Sequence, residues 1–129
     1  MAKHQLISSG SPFEGRFGFS RAVRVGNRIE VAGTAPIWPD GSCPQDPAEQ
    51  TRHCIRVMEE ALKEAGATLA DVVRTRMYLV HPADADAVGA AHGEFFGDIR
   101  PASTMLCVAS LLDPRWRIEM EAVAIVGED

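Results

Sequence analysis

The chain has 129 residues, 46% of them hydrophobic and 24% charged, the size and make-up of one globular domain spanning residues 1–129 rather than of a disordered segment. Lys and Arg number 13 against 18 Asp and Glu, a net charge of −5, so a nucleic-acid partner, which calls for a cationic surplus, is not expected. Cys43, Cys54 and Cys107 are too few for a disulfide framework, the start MAKHQLISSG lacks the apolar core of an export signal, and no apolar run reaches the roughly 18 residues of a membrane span, so a cytoplasmic chain with no membrane partner is expected.

His4 to Ile7 reads as a short first strand, and the Gly- and Ser-rich stretch from Ser8 to Gly18 as a loop. Ser20–Val25 and Arg28–Thr34 read as two strands joined at Gly26-Asn27, a link suited to a primed hairpin turn. In the second strand, alternation places Ile29, Val31 and Gly33 on one face and Glu30, Ala32 and Thr34 on the other. Asp46-Pro47-Ala48-Glu49 is a helix start with an N-cap, a proline at the first helical position and a capping-box Glu. That helix runs to Ala65 with Gly66 beyond it, and Ile55, Met58, Leu62 and Ala65 form its apolar stripe.

Asp71 to Val80 reads as a strand, with Val73, Thr75, Met77 and Leu79 on one side and Val72, Arg74, Arg76 and Tyr78 on the other. Asp84 to Phe96 is a second helix, weakened by Gly89 and Gly93 at about 1 kcal/mol each. A connector through Arg100-Pro101 leads to a strand over Ser103–Leu111, and Arg117–Val126 is the last strand. The order β-β-β-α-β-α-β-β implies an α/β (α+β) domain, a mixed sheet with two helices on one face.

Two helices cover only one face of such a sheet. The last strand nevertheless carries Val123 and Ile125 opposite Met120, Ala122 and Ala124, and the preceding one carries Leu106 and Val108 opposite Met105, Cys107 and Leu111. A solvated face is more polar than this, so the second face is expected to pack against other copies of the chain.

Glycine-rich phosphate loops, metal-binding HExxH and nucleophile-elbow patterns are all lacking, the four histidines are scattered, and neither a metal nor a cofactor is expected. Glu119 and Glu121 share a strand face with apolar neighbours, so either a carboxylate of raised pKa or an ion pair with Arg74 or Arg76 fits. Cys107 reads as a small core hydrophobe, His92 as a rim histidine, and Trp116 as interface packing. Arg100 stands where a loop feeds a strand and suits either an anion site or a surface ion pair.

The segment Gly26-Asn27-Arg28-Ile29-Glu30-Val31-Ala32-Gly33-Thr34-Ala35-Pro36, the helix from Gln50 to Gly66 followed by Asp71-Val72-Val73, Arg100-Pro101-Ala102-Ser103, and Ile118-Glu119-Met120-Glu121-Ala122-Val123-Ala124 together resemble the Rid family, also called YjgF and often labelled endoribonuclease L-PSP. The resemblance covers nearly the whole chain. It implies a chorismate-mutase-like fold with a six-stranded sheet, a homotrimer around a central barrel, and small-molecule clefts between subunits. It also implies hydrolysis of reactive enamine and imine acids to 2-keto acids and ammonia. The glutamate placed to activate water falls on Glu119, the arginine that clamps the substrate carboxylate on Ser103, the cleft tyrosine on Phe19, and the Ser and Gln of the hairpin on Ala32 and Thr34. The family's cysteine falls on Met105, so Cys107 inherits no role. The chain thus resembles a divergent subgroup without that arginine. A Ser hydroxyl offers one donor and no charge in its place, and Arg100 or Arg76 would have to supply what is lost.

Three functions follow as expectations: an imine or enamine deaminase of unknown substrate with Glu119 as catalytic residue and Ser103, Arg100, Phe19 and Thr34 at the ligand; a non-enzymatic small-molecule-binding or regulatory trimer; and a ribonuclease, which the acidic composition disfavours.

Overall fold

The structure, a computed structural model, describes residues 3–127. Its strands are β1 (His4–Ile7), β2 (Ala22–Val25), β3 (Arg28–Thr34), β4 (Val72–Leu79), β5 (Ala102–Cys107) and β6 (Ile118–Ile125), and its helices are α1 (Pro12–Phe17), α2 (Pro47–Glu64) and α3 (Ala85–Phe96). They form one six-stranded sheet in the order β1-β2-β3-β6-β4-β5. The last strand is inserted antiparallel between β3 and β4, while β4 and β5 run parallel across α3. The mixed sheet with helices on one face is the architecture the sequence implies.

The core lies between the helices and the sheet. Ile55, Met58 and Leu62 of α2 and Val88 and Phe96 of α3 meet Ile29, Met77, Leu79, Ile118 and Met120, all buried. The N-terminus of α2 is capped by Asp46, whose carboxylate accepts the Ala48 N–H at 2.9 Å. The capping box is only half made, because Glu49 turns to Arg52 at 2.6 Å. Fully buried Gln50 ties the ends of the chain's long loops together: its amide donates to the carbonyls of Pro44 and Arg115, and its oxygen accepts the Arg117 N–H at 2.7 Å.

Three expectations change. The stretch after β1 contains a short helix: Ser11 caps it, Pro12 sits in its first turn, and Gly18 closes it at φ 75°. A Ser-Pro pair followed by a left-handed glycine is a helix signature that the surrounding Gly and Ser conceal. The hairpin turn at Gly26-Asn27 has its first central residue alone at positive φ (Gly26, 61°), which one of the two primed turns requires. In β3 and β4 strict alternation fails, because a register shift falls between Val31 and Thr34 and another between Val72 and Arg74. Across each irregularity the alternation breaks: Thr34 and Val72 are buried and Val73 is 42% exposed. Finally β5 ends at Cys107, short of Leu111, and Cys107 is exposed on this edge strand, not a core residue.

Candidate functional site

The face of the sheet away from the helices carries the alternate residues of each strand: Glu119, Glu121, Val123 and Ile125 of β6, Arg74, Arg76 and Tyr78 of β4, and Thr104 and Leu106 of β5. Large apolar side chains stay open to solvent there and along its rim, Leu6 at 65%, Leu106 at 44%, Phe19 at 41% and Ile125 at 40%. A cleft of about 530 Å³ opens on this face between Leu6, Phe19, Val23, Glu30 and Glu121.

Glu119 is set into this face. The shift in β3 brings Gly33 against it, and a Cβ on Gly33 would collide with Glu119 Oε2. Glycine therefore makes the socket in which the carboxylate rests. Among the described residues no group is within hydrogen-bonding distance of that carboxylate, and its only nearby countercharge is Arg21. Burial raises its pKa above the ordinary glutamate value; Arg21 works against the rise and Glu121 with it. Arg21 itself donates through Nη2 to the Gly33 carbonyl, and its Nε is buried without a partner. On its other side stands Glu14, which burial pushes up but hydrogen bonds from Ser9 and Ser8 hold below the usual carboxylate range. Ser9 donates to Glu14 at 2.6 Å from its hydroxyl and 3.0 Å from its N–H.

The neighbouring Glu121 differs. It accepts the Tyr78 hydroxyl at 2.5 Å and lies 3.8 Å from Arg76. The ion-pair alternative thus fits Glu121 and not Glu119, and Arg76 is spent on that contact. Arg74 bonds the Thr104 hydroxyl at 2.6 Å.

The other sequence-derived candidates are dispersed. Phe19 lines the open-face cleft. Thr34 is buried with its hydroxyl on the Ala32 carbonyl, on the helix side and away from Glu119, because of the shift in β3. Ser103 pairs in register with Thr75, whose hydroxyl it meets at 2.8 Å, which places its side chain on the helix side as well. Arg100 is exposed at φ 59°, a left-handed conformation, at the mouth of a cavity of about 300 Å³ beside His92 and Phe96. One chain therefore holds Glu119 on one face of its sheet and Ser103 with Arg100 on the other. Sequence reasoning missed Arg21, Glu14 and Thr75. Arg21 was within reach of it, since it alternates with Val23 and Val25 onto the face of Glu119. Among the described residues no group of three His, Cys, Asp or Glu side chains is arranged to hold a metal ion, and no helix is long and apolar enough to cross a membrane.

The socket makes a prediction. Gly33 has no positive φ, and the clash falls on the movable end of a side chain. The G33A protein should therefore fold with a melting temperature within a few degrees of the parent, yet with Glu119 displaced and its titration returned toward the ordinary glutamate value. Carboxyl-carbon NMR of Glu119 in the two proteins checks this, and an unmoved titration would refute it.

Residues 11–126 match the family model described as endoribonuclease L-PSP. A protein of Streptomyces coelicolor described as uncharacterized is 43% identical over 122 residues, covering 94% of this chain and 91% of that one. The 3-aminoacrylate deaminase RutC of Acinetobacter baylyi is 30% identical over 128 residues, 98% of this chain and 100% of that one. Among solved structures, Rv2704 of Mycobacterium tuberculosis, a YjgF/YER057c/UK114 family member, superposes with a TM-score of 0.89 at 45% identity over 96% of this chain and 100% of that one. The match to the family model over residues 11–126, together with these relatives, shows that the chain belongs to the YjgF/RutC family of endoribonuclease L-PSP domains.

Proposed function

We propose that the protein is a homotrimeric deaminase that hydrolyses a small enamine or imine acid in clefts between its subunits. The observation that carries the reading is Glu119: a half-buried carboxylate of raised pKa, free of hydrogen bonds from the described residues, in a socket lined by Gly33 and Arg21. A general base works best when its pKa lies near the working pH, and burial moves a carboxylate in that direction. Glu119 takes a proton from water as the water oxygen adds to the imine carbon and returns it to the imine nitrogen; the carbinolamine then gives its hydroxyl proton to the nitrogen, the C–N bond breaks, and ammonia leaves the 2-keto acid. Ser103 and Arg100 hold the substrate anion, and Phe19 packs on its carbon skeleton.

Glu119 and Ser103 lie on opposite faces of one sheet, so a site that uses both takes them from two copies. The apolar open face, with Leu6, Leu106 and Ile125 exposed, supports the same assembly. The deaminase named among the relatives supports the reaction class. Ser103 in place of an arginine favours a second reading, a binding or regulatory trimer without turnover. The deciding experiment generates 2-aminoacrylate, 3-aminoacrylate and iminopropionate in situ and follows ammonia release. Release above the buffer rate supports the deaminase; rates equal to buffer across the panel, with a ligand still raising the melting temperature, would select the binder.

A further inference from the structure

Ser103 is exposed on β5, and its Oγ is joined to a chain of polar groups. Thr75 Oγ1 lies 2.8 Å from Ser103 Oγ and 2.9 Å from His92 Nε2, within hydrogen-bonding distance of both. Thr75 is fully buried and has one hydroxyl hydrogen to place between these two partners. When His92 is protonated its Nε2–H must donate to Thr75, and the Thr75 hydrogen then goes to Ser103. Ser103's own hydrogen is not used in the chain. It remains for a group beyond the edge of the sheet, and every donor points toward it: His92 to Thr75 to Ser103 to ligand. Aligned hydrogen bonds polarise one another, so the last donor is stronger than an isolated serine.

We propose that His92, acting through Thr75, makes Ser103 a proton-sensitive grip for a small carboxylate, one that tightens when His92 gains a proton. The proposal rests on the reading that a small acid binds here, and it names what replaces a charged side chain at position 103. The surroundings suit the role. The His92 ring lies 4.6 Å from that of Phe96, and the adjoining cavity of about 300 Å³ has Arg100 at its mouth. The shift of His92 comes from burial, with no charged neighbour contributing to it. From α2, Arg52 is paired with Glu49 and with Glu94 of α3, and Arg56 lies over Phe95. At the start of α3, Asp84 is paired with Arg117. The connector supplies Arg100, while β4 and β5 present Thr75, Ser103 and, farther along, Cys107. Burial holds the imidazole below the ordinary histidine value, which favours its neutral form.

Linkage then sets the sign. A carboxylate at Ser103 raises the His92 pKa, and a rise of about one unit makes binding about tenfold tighter below the pKa than above it. Pyruvate is the probe, ionised at both working pH values and titrated calorimetrically into the full chain at about pH 5 and pH 8. The parent protein should bind about tenfold more tightly at the lower pH. H92Q keeps a donor to Thr75 but cannot charge, and should bind equally at both pH values with the parent's high-pH affinity. T75V breaks the chain and should also lose the pH effect. Equal affinity of the parent at both pH values, or no binding, overturns the proposal. So does a pH effect that persists in H92Q, which would assign it to Glu119. Ammonia release from iminopropionate is measured on the same preparation. Turnover with pH-independent pyruvate binding leaves the deaminase standing without the grip, and pH-dependent binding without turnover does the reverse.

Discussion

The E119Q protein should release ammonia from an imine acid at least about 100-fold more slowly than the parent, the usual scale of a lost general base, while folding as well or better. Gln fills the socket over Gly33 with nearly the same shape, so the cleft keeps its form. What goes is the group that accepts a proton from water. In the parent, the acid limb of the rate profile should fall above the ordinary glutamate value, because burial raises Glu119. Stability moves the other way. A carboxyl whose folded pKa is raised favours the folded state below its unfolded pKa, and that contribution is lost as pH rises through the folded pKa. At neutral pH the parent therefore carries a desolvated charge that E119Q lacks, and the variant's melting temperature should hold or rise. Ammonia release and thermal melts at several pH values check both halves. A rate within threefold of the parent would remove Glu119 from the chemistry, and a large fall in melting temperature would recast it as structural.

The second expected result concerns assembly. The parent chain should sediment as a trimer at micromolar concentration and L106D as a monomer. Leu106 is 44% exposed on edge strand β5, so within one copy the exchange costs little. Covered by a neighbour, it would forfeit about 1.5–3 kcal/mol of apolar burial and bury an unpaired charge in addition, repeated at every interface by symmetry. The apolar term alone corresponds to about 10–100-fold in the dissociation constant. Sedimentation velocity with circular dichroism on the same samples separates dissociation from unfolding. A parent that sediments as a folded monomer, or an L106D protein with the parent's profile, would refute a covered open face.

Much of this was legible in the chain itself. The α2 stripe of Ile55, Met58 and Leu62 has the helical period and is buried as that period requires. The alternation of β6 separates Met120 and Ala122 from Glu119 and Glu121, and the structure keeps that separation. Failures occur where one residue changes the count. Thr34 and Val73 were assigned to the wrong faces because a register shift is a property of two paired strands and leaves no mark in one strand's pattern. Ser103 and Glu119 could not be placed relative to each other without the pairing of β5 with β4. The role of Gly33 was hidden for a related reason: an open space over a glycine is defined by the strand beside it, 86 positions on from Gly33 at Glu119.

The irregular step in β3 divides one strand between two duties. Before it, Ile29 and Val31 anchor the interior; after it, Gly33 makes room for the Glu119 carboxylate on the open face while Thr34 plugs the inside. Changes on the far side of that step can retune the carboxylate without disturbing the anchor, so the acidity of Glu119 and the packing of the core can vary independently along one strand.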